Sequence, residues 1–148
     1  MNKQQTAVKN FLNGAHCINQ SIECKLEQIQ SLSELATKAT STISDMPGSP
    51  NRNIHKIDDL IAKIVDLQAE IKDDAERLVA VREQIRQCIN QVTDREGQMI
   101  LEERYLRNSK WEDIALYTNR SMRQVYRIHD NALKEITVPE KLAVDDST

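Results

Sequence analysis

The side chains best suited to chemistry in this chain are the arginines and amides of its last third. The segment from Thr118 to His129 contains Arg120, Arg123 and Arg127 and no acidic residue, although the whole chain has a net charge of −3. An arginine fork matches the two acceptors of guanine, and a glutamine or asparagine amide matches the donor and acceptor of adenine. The segment therefore predicts a local surface that reads double-stranded DNA.

Three short helices joined by tight turns are predicted to position these side chains. Ser109 with Glu112, and Ser121 with Gln124, form predicted capping boxes that begin the second and third helices. Between them, Asn119 tolerates the left-handed conformation that such a turn needs. This layout is that of a helix-turn-helix, whose last helix enters a major groove.

The third helix has two faces with different predicted roles. The apolar residues, three and four apart, predict the buried face: Val125, Ile128, Ala132, Leu133 and Ile136. The predicted base contacts on the other face are Arg123, Gln124, Arg127 and Asn131. The predicted phosphate contacts are Arg107, Lys110, Arg120 and, at the helix N-terminus, Ser121. The alternative interpretation is a small helical domain whose charged face is simply solvated.

Two seven-residue repeats organise the first ninety residues. The first repeat runs Val8, Ala15, Ile22, Ile29, Ala36 and Ile43, and the second runs Ile57, Ile64, Ile71, Leu78, Ile85 and Val92. A sustained seven-residue period is the signature of a coiled coil. The segment Pro47-Gly48-Ser49-Pro50 separates the repeats and breaks helices. We therefore predict an antiparallel helical hairpin with its turn at residues 45–53.

The second arm of the hairpin is apolar over more than a two-helix seam. A stripe this wide usually has more than one neighbour, so we expect self-association or packing against the C-terminal helices. The predicted oligomerisation residues are Ile57, Ile61, Ile64, Ile71, Leu78 and Ile85. Lys25 and Asp74 interrupt the core positions, either to set the register of the helices or because they lie in a solvated stretch.

Composition bounds the fold and the function. Charged residues make up 29% of the chain and aromatic residues 3%, with three glycines and three prolines, which favours an all-α protein. We predict a hairpin over residues 1–92, a helix-turn-helix module over 93–137 and a disordered acidic tail over 138–148.

No triad, phosphate loop or metal-ligand spacing is recognisable, so we expect no enzyme activity, cofactor or metal. Neither a signal segment nor a membrane-spanning run is present, so we expect a cytoplasmic protein without a membrane partner.

The segment WEDIALYTNRSMRQVYRIHDNALKEI, residues 111–136, carries a family resemblance. It resembles region four of bacterial primary sigma factors, the helix-turn-helix that reads the −35 promoter element. It is still more similar to Gram-positive phage regulators of the ArpU/RinA late-transcription type. Phage proteins with a long helical N-terminal half ending in a "DMPGS" turn are similar along nearly the whole chain.

The resemblance implies particular DNA-facing positions. Carried over residue by residue, they are Met122, Arg123, Gln124, Tyr126, Arg127 and Asn131. Met122 stands where the family usually has a basic residue, and Arg120 where it has an apolar one. Leucine and glycine are common at the positions of Thr118 and Asn119. These departures bear on the target sequence of the module.

Together these observations predict a phage-type transcription regulator. The hairpin would self-associate or bind a partner, and the C-terminal module would bind promoter DNA and contact host RNA polymerase. One alternative is a DNA-packaging or assembly protein similar to small terminase subunits, which also join a helix-turn-helix to helical oligomerisation segments. Another alternative is a coiled-coil adaptor.

Overall fold

The computed structural model describes residues 1–45 and 50–139, without the side chains of residues 42–45 and 50–53. Within these ranges all regular structure is helical, which confirms the predicted all-α class. The elements are α1 (Lys3–Leu12), α2 (Gly14–Asp45), α3 (Pro50–Ile89), α4 (Arg95–Leu101), a π-helical turn (Glu102–Leu106), α5 (Trp111–Thr118) and α6 (Met122–Leu133). Residues 46–49 of the predicted turn and 140–148 of the predicted tail lie outside the described residues.

The chain divides into two compact units. Unit 1 contains Met1–Ile18 and the chain from Arg77 onward, and unit 2 contains Asn19–Glu76. These units do not follow the predicted segments 1–92 and 93–137, because α1, the beginning of α2 and the end of α3 pack with the C-terminal helices. The functional roles assigned to those segments remain predictions.

Unit 1 has a continuous apolar core. Its fully buried apolar side chains come from five helices and from the segment after α6: Val8, Leu12, Val81, Ile85, Ile89, Ile100, Leu101, Ile114, Val125, Leu133 and Ile136. Gly97 permits the close approach of α4 to α6, since a Cβ at this position would lie 3.1 Å from the Cβ of Ala132. Burial of this many aliphatic side chains is the main stabilising contribution to the unit.

The leading helix α1 is connected to α6 and to the segment that follows it by two glutamine side chains. Gln5 Nε2 donates to the carbonyl of Asp130 at 2.8 Å, and Gln4 Nε2 donates to the carbonyl of Ile136 at 2.8 Å. Asn13 ends α1 and α2 begins at Gly14. The N-terminal helix therefore supports the C-terminal helix rather than extending the hairpin.

Unit 2 is an antiparallel pair formed by the later part of α2 and the earlier part of α3. The heptad residues Ile57, Ile64 and Ile71 are half-buried. Lys25 and Asp74, which interrupt the heptads, form an ion pair across the two helices with Nζ 2.5 Å from Oδ2. Because this pair joins one position on each helix, it favours a single register.

One predicted helix start is wrong. Ser109 does not form a capping box with Glu112, because α5 begins at Trp111 and its N-cap is Lys110, which makes no side-chain cap bond. Ser109 Oγ instead donates to Glu103 Oε2 at 2.9 Å. The left-handed conformation of Asn108, with φ of 57°, ends the preceding π-helical turn. This ending turns Ser109 back toward Glu103.

Candidate nucleic-acid interface

The turn between α5 and α6 has the geometry that the sequence predicts. Asn119 is left-handed, with φ of 56° and ψ of 41°. Ser121 Oγ accepts from the Gln124 amide at 3.2 Å, and Gln124 Oε1 accepts from the Ser121 amide at 3.0 Å. The predicted capping box at the start of α6 is therefore confirmed. These two pairs fix the first turn of α6 and commit the amide oxygen of Gln124 to the cap.

One face of α6 is open to solvent. Arg123, Arg127 and Asn131 are exposed, and Tyr126 is 41% exposed. Met122 and Gln124 are half-buried. Within the described residues, Arg123 and Arg127 have no hydrogen-bond or ion-pair partner, so both guanidinium groups are available to an anionic ligand.

Three of the predicted phosphate contacts, Arg107, Lys110 and Arg120, differ in whether their side chains already have an ion-pair partner. Lys110 is exposed and has no partner among the described residues. Arg107 pairs with Glu103 at 3.1 Å, but its side chain is 74% exposed. Arg120 forms a two-bond ion pair with Glu96 of α4, in which Nη2 lies 2.9 Å from Oε2. Arg120 therefore joins the turn to α4, and only Lys110 of these three is free to reach a phosphate without breaking a pair.

The exposed face of α6 also carries an acid. Asp130 lines the same shallow surface depression as Arg123, Tyr126, Arg127 and Asn131. Its Oδ1 accepts from His129 Nδ1 at 2.9 Å, and its side chain remains 43% exposed. A phosphate near this position would be repelled, so the end of the face near Arg123 is the more favourable one for DNA.

A buried polar pair fixes the opposite face of α6. The Tyr105 hydroxyl and His129 Nε2 lie 2.7 Å apart, and the two side chains are 3% and 2% exposed. Burial lowers the pKa of His129 and raises the pKa of Tyr105. A neutral imidazole protonated on Nδ1 therefore donates to Asp130 and accepts from Tyr105, which satisfies every polar atom of the pair.

Aromatic packing connects this pair to α5. Trp111 meets His129 and Tyr126 edge to face, with ring centroids 5.0 Å apart in both cases. The guanidinium of Arg104 lies 4.7 Å from the centroid of the Trp111 ring and donates to the carbonyl of Ser109. The packing therefore fixes the angle between α5 and α6, and it gives Arg104 a structural role that sequence reasoning missed.

The predicted oligomerisation residues are not equivalent in the structure. Ile57, Ile64, Ile71 and Leu78 are half-buried, Ile61 is 48% exposed, and Ile85 is fully buried in the core of unit 1. Ile85 has no surface left for a partner, so its predicted oligomerisation role is corrected to a core role. The other five keep exposed surface, and their role remains a prediction.

The described residues contain neither a metal-binding cluster nor a membrane-spanning helix. Among the described residues no group of three His, Cys, Asp or Glu side chains could hold a metal ion. Across the same residues, none of the helices has both the length and the apolar character needed to cross a bilayer. Cys17 and Cys24 are exposed free thiols, whereas burial raises the pKa of the Cys88 thiol and keeps it protonated.

Comparisons with known proteins give no match. No protein-family model, no curated protein and no solved structure matches this chain. The function proposed below therefore follows from the geometry of unit 1 and from the resemblance seen in the sequence.

Proposed function

We propose that this protein is a phage-type, sequence-specific DNA-binding transcription regulator that acts at promoters with RNA polymerase. The observation that carries the proposal is the pair of exposed, unpartnered arginines Arg123 and Arg127 in the first two turns of α6. They follow a left-handed turn and a capped helix start, as in a recognition helix. The proposal includes self-association through the hairpin, with double-stranded DNA and host RNA polymerase as the other partners.

A second surface of the module supports the polymerase contact. Leu116 and Tyr117 on α5 are 81% and 71% exposed, although both are large and largely apolar. Exposed neighbours of this kind favour a protein partner. Leu116→Asp should therefore reduce the change in transcription that the protein causes at its promoter while leaving DNA affinity unchanged. Equal loss of both properties would argue against a separate protein-binding surface.

The first prediction concerns base reading. DNA fragments selected from a host genome supply an operator, and scrambled DNA of the same length supplies the reference. Arg123→Ala should remove about 1–3 kcal/mol of discrimination between them, because a guanine contact is lost. The readout is the ratio of the two dissociation constants at one salt concentration.

Lys110→Ala is the matched control for that variant. Lys110 is exposed, cationic and unpartnered among the described residues, but it precedes α5 rather than lying on α6. It should weaken binding to both DNAs equally and reduce the salt dependence, as the loss of a phosphate contact does. Unchanged affinities and an unchanged ratio in both Arg123→Ala and Arg127→Ala would overturn the assignment of α6 as the recognition helix.

A further inference from the structure

Helix α3 has an apolar side that no part of unit 2 covers. Ile54, Ile61 and Val65 are 46%, 48% and 55% exposed. Their spacings of seven and four residues place them on one side of the helix. We define the Val65 face as these residues together with Asp58, Ala69 and Lys72, which lie on the same side of α3.

The other flank of α3 has a different character. Lys63, Asp66 and Glu70 line an open groove of 650 Å³ together with residues of α2. None of the Val65 face residues lines this groove. The groove flank of α3 therefore carries charged side chains, whereas the Val65 face carries branched aliphatic residues between its two charges. Leaving such side chains in water is unfavourable by about 25 cal/mol per Å² of apolar surface.

Two charges frame the face symmetrically. Asp58 lies seven residues before Val65, and Lys72 lies seven residues after it, which is about two helical turns in each direction. Both side chains are exposed. Within the described part of the chain, neither has a hydrogen-bond or ion-pair partner. The face is therefore acidic toward one end, basic toward the other and apolar between them.

We propose that the Val65 face binds the same face of a second copy of this chain, with the two α3 helices antiparallel and a two-fold axis beside Val65. An isologous contact requires a self-complementary surface. In this arrangement Asp58 of each copy lies level with Lys72 of the other, and Ile61 lies level with Ala69. Ile61 then meets the smaller Ala69, Val65 meets Val65 of the other copy, and both unpartnered charges acquire partners. Ile54 lies outside this apolar centre, level with Glu76 of the other copy.

A parallel pairing does not satisfy the same groups. With the helices parallel and in register, Asp58 faces Asp58 and Lys72 faces Lys72, and like charges repel. The antiparallel pairing of two hairpins forms a four-helix bundle, an arrangement that covers stripes wider than a two-helix seam. This inference specifies the self-association included in the proposed function and is independent of DNA reading.

Charge exchange tests the inference. Asp58→Lys and Lys72→Asp should each weaken the dimer by about tenfold, since each replaces two attractions by two repulsions. The double variant Asp58→Lys/Lys72→Asp should restore the native dissociation constant, measured by sedimentation equilibrium of the full chain. Lys63→Asp on the groove flank is the control and should leave the constant unchanged. Failure of the double variant to restore the dimer overturns the antiparallel pairing.

Disulfide trapping tests the register independently. In a Cys17→Ser/Cys24→Ser background, Val65→Cys should cross-link two copies on mild oxidation. Asp58→Cys or Lys72→Cys alone should not, because identical positions lie about 20 Å apart at 1.5 Å per residue. A mixture of the two should cross-link. Cross-linking of Asp58→Cys with itself would instead show parallel pairing.

Measuring the oligomeric state and DNA binding on the same preparations distinguishes failure of the dimer interface from failure of DNA reading. A chain that remains monomeric at 100 times the concentration used for DNA binding overturns the interface and the proposed self-association together. DNA discrimination in the Arg123→Ala comparison is measured on the same preparations. If discrimination persists while the dimer is absent, the DNA-reading part of the proposed function stands and the interface does not.

Discussion

Unit 1 and unit 2 are built from the same kinds of residue but bury them very differently. In unit 1 aliphatic side chains from several helices are completely buried, for example Ile100, Val125 and Leu133. In unit 2, among the side chains that the structure describes, Leu60 and Asp74 are the buried ones. Two helices can cover only one stripe of each other. The comparison shows that unit 1 carries its own core, whereas unit 2 is a pair of helices whose apolar surface is only partly covered.

The largest expected effect tests this contrast directly. Ile100→Ala in unit 1 should reduce the free energy of unfolding by about 2–5 kcal/mol, because it leaves a cavity in a closed core. Ile64→Ala, a half-buried position in unit 2, should cost less in the isolated chain. Urea unfolding monitored by circular dichroism supplies both values. The contrast is wrong if, at protein concentrations below the dimer dissociation constant, Ile64→Ala lowers the free energy of unfolding as much as Ile100→Ala does.

Trp111→Ala should have the next largest effect and should be confined to unit 1. The change removes the edge-to-face contacts with His129 and Tyr126 and the contact with Arg104. A loss of about 2–3 kcal/mol is expected from the packing and the aromatic pairs. The near-ultraviolet signal and DNA binding should be lost at lower urea than the helical signal of unit 2. Simultaneous loss of all signals would show that the units unfold together.

The buried Tyr105–His129 pair should make unit 1 sensitive to acid. Burial lowers the pKa of His129, and Lys9 and Arg104 lower it further, although Asp130 opposes them. The unfolded state therefore binds the proton first, so the stabilising contribution is complete above the unfolded pKa of about 6.5 and is lost as the pH falls below it. The melting temperature should fall by several degrees between about pH 7.5 and pH 5.

His129→Asn is the control for the acid sensitivity. Asparagine keeps a polar side chain at position 129 but cannot be protonated in this range, so the pH dependence should become smaller even if the variant is less stable throughout. An undiminished pH dependence would place the responsible group elsewhere in the chain.

The smallest expected effect concerns the Glu96–Arg120 pair. Glu96→Gln should slightly lower the thermal stability of unit 1 and free Arg120 for a phosphate. The affinity for scrambled DNA should then rise by about twofold, and its salt dependence should increase. Glu102→Gln removes the same charge from an exposed residue whose side chain has no hydrogen-bond partner in the described chain. If both variants change affinity equally, net charge explains the effect and Arg120 has no latent contact.

The elements of unit 1 could be predicted from the sequence where the signal is local. The turn at Asn119 and the capping box of Ser121 and Gln124 depend on residues within a few positions of each other, and both are confirmed. The capping box expected at Ser109 failed because Glu103, on the preceding element, competes for the same hydroxyl. A local pattern does not reveal a competitor that folding brings close.

Long-range features of the candidate interface had no local signal. The contact of Gln4 with Ile136, which follows α6, spans 132 residues, and the contact of Gln5 with Asp130 in α6 spans 125. The ion pair that holds Arg120 joins residues 24 apart, one in the turn before α6 and the other in α4. The hydrophobic repeat predicted the two long helices, but it could not show that α1 and the end of α3 pack into unit 1. The repeat reports which face is apolar and not which neighbour covers it.

The π-helical turn at Glu102–Leu106 fixes the phase between α4 and everything that follows it. Arg107 donates its amide to the carbonyl of Glu102, five residues back, so this stretch contains one residue more than an α-helix would use. Deleting one residue here would let the hydrogen bonds close as a regular helix while rotating the following chain by about 100°. Tyr105 would no longer face His129. A deletion that leaves every backbone hydrogen bond satisfied would thus still break the contact between the segment after α4 and α6, the helix that forms the candidate interface. The length of this turn is therefore a structural requirement of unit 1.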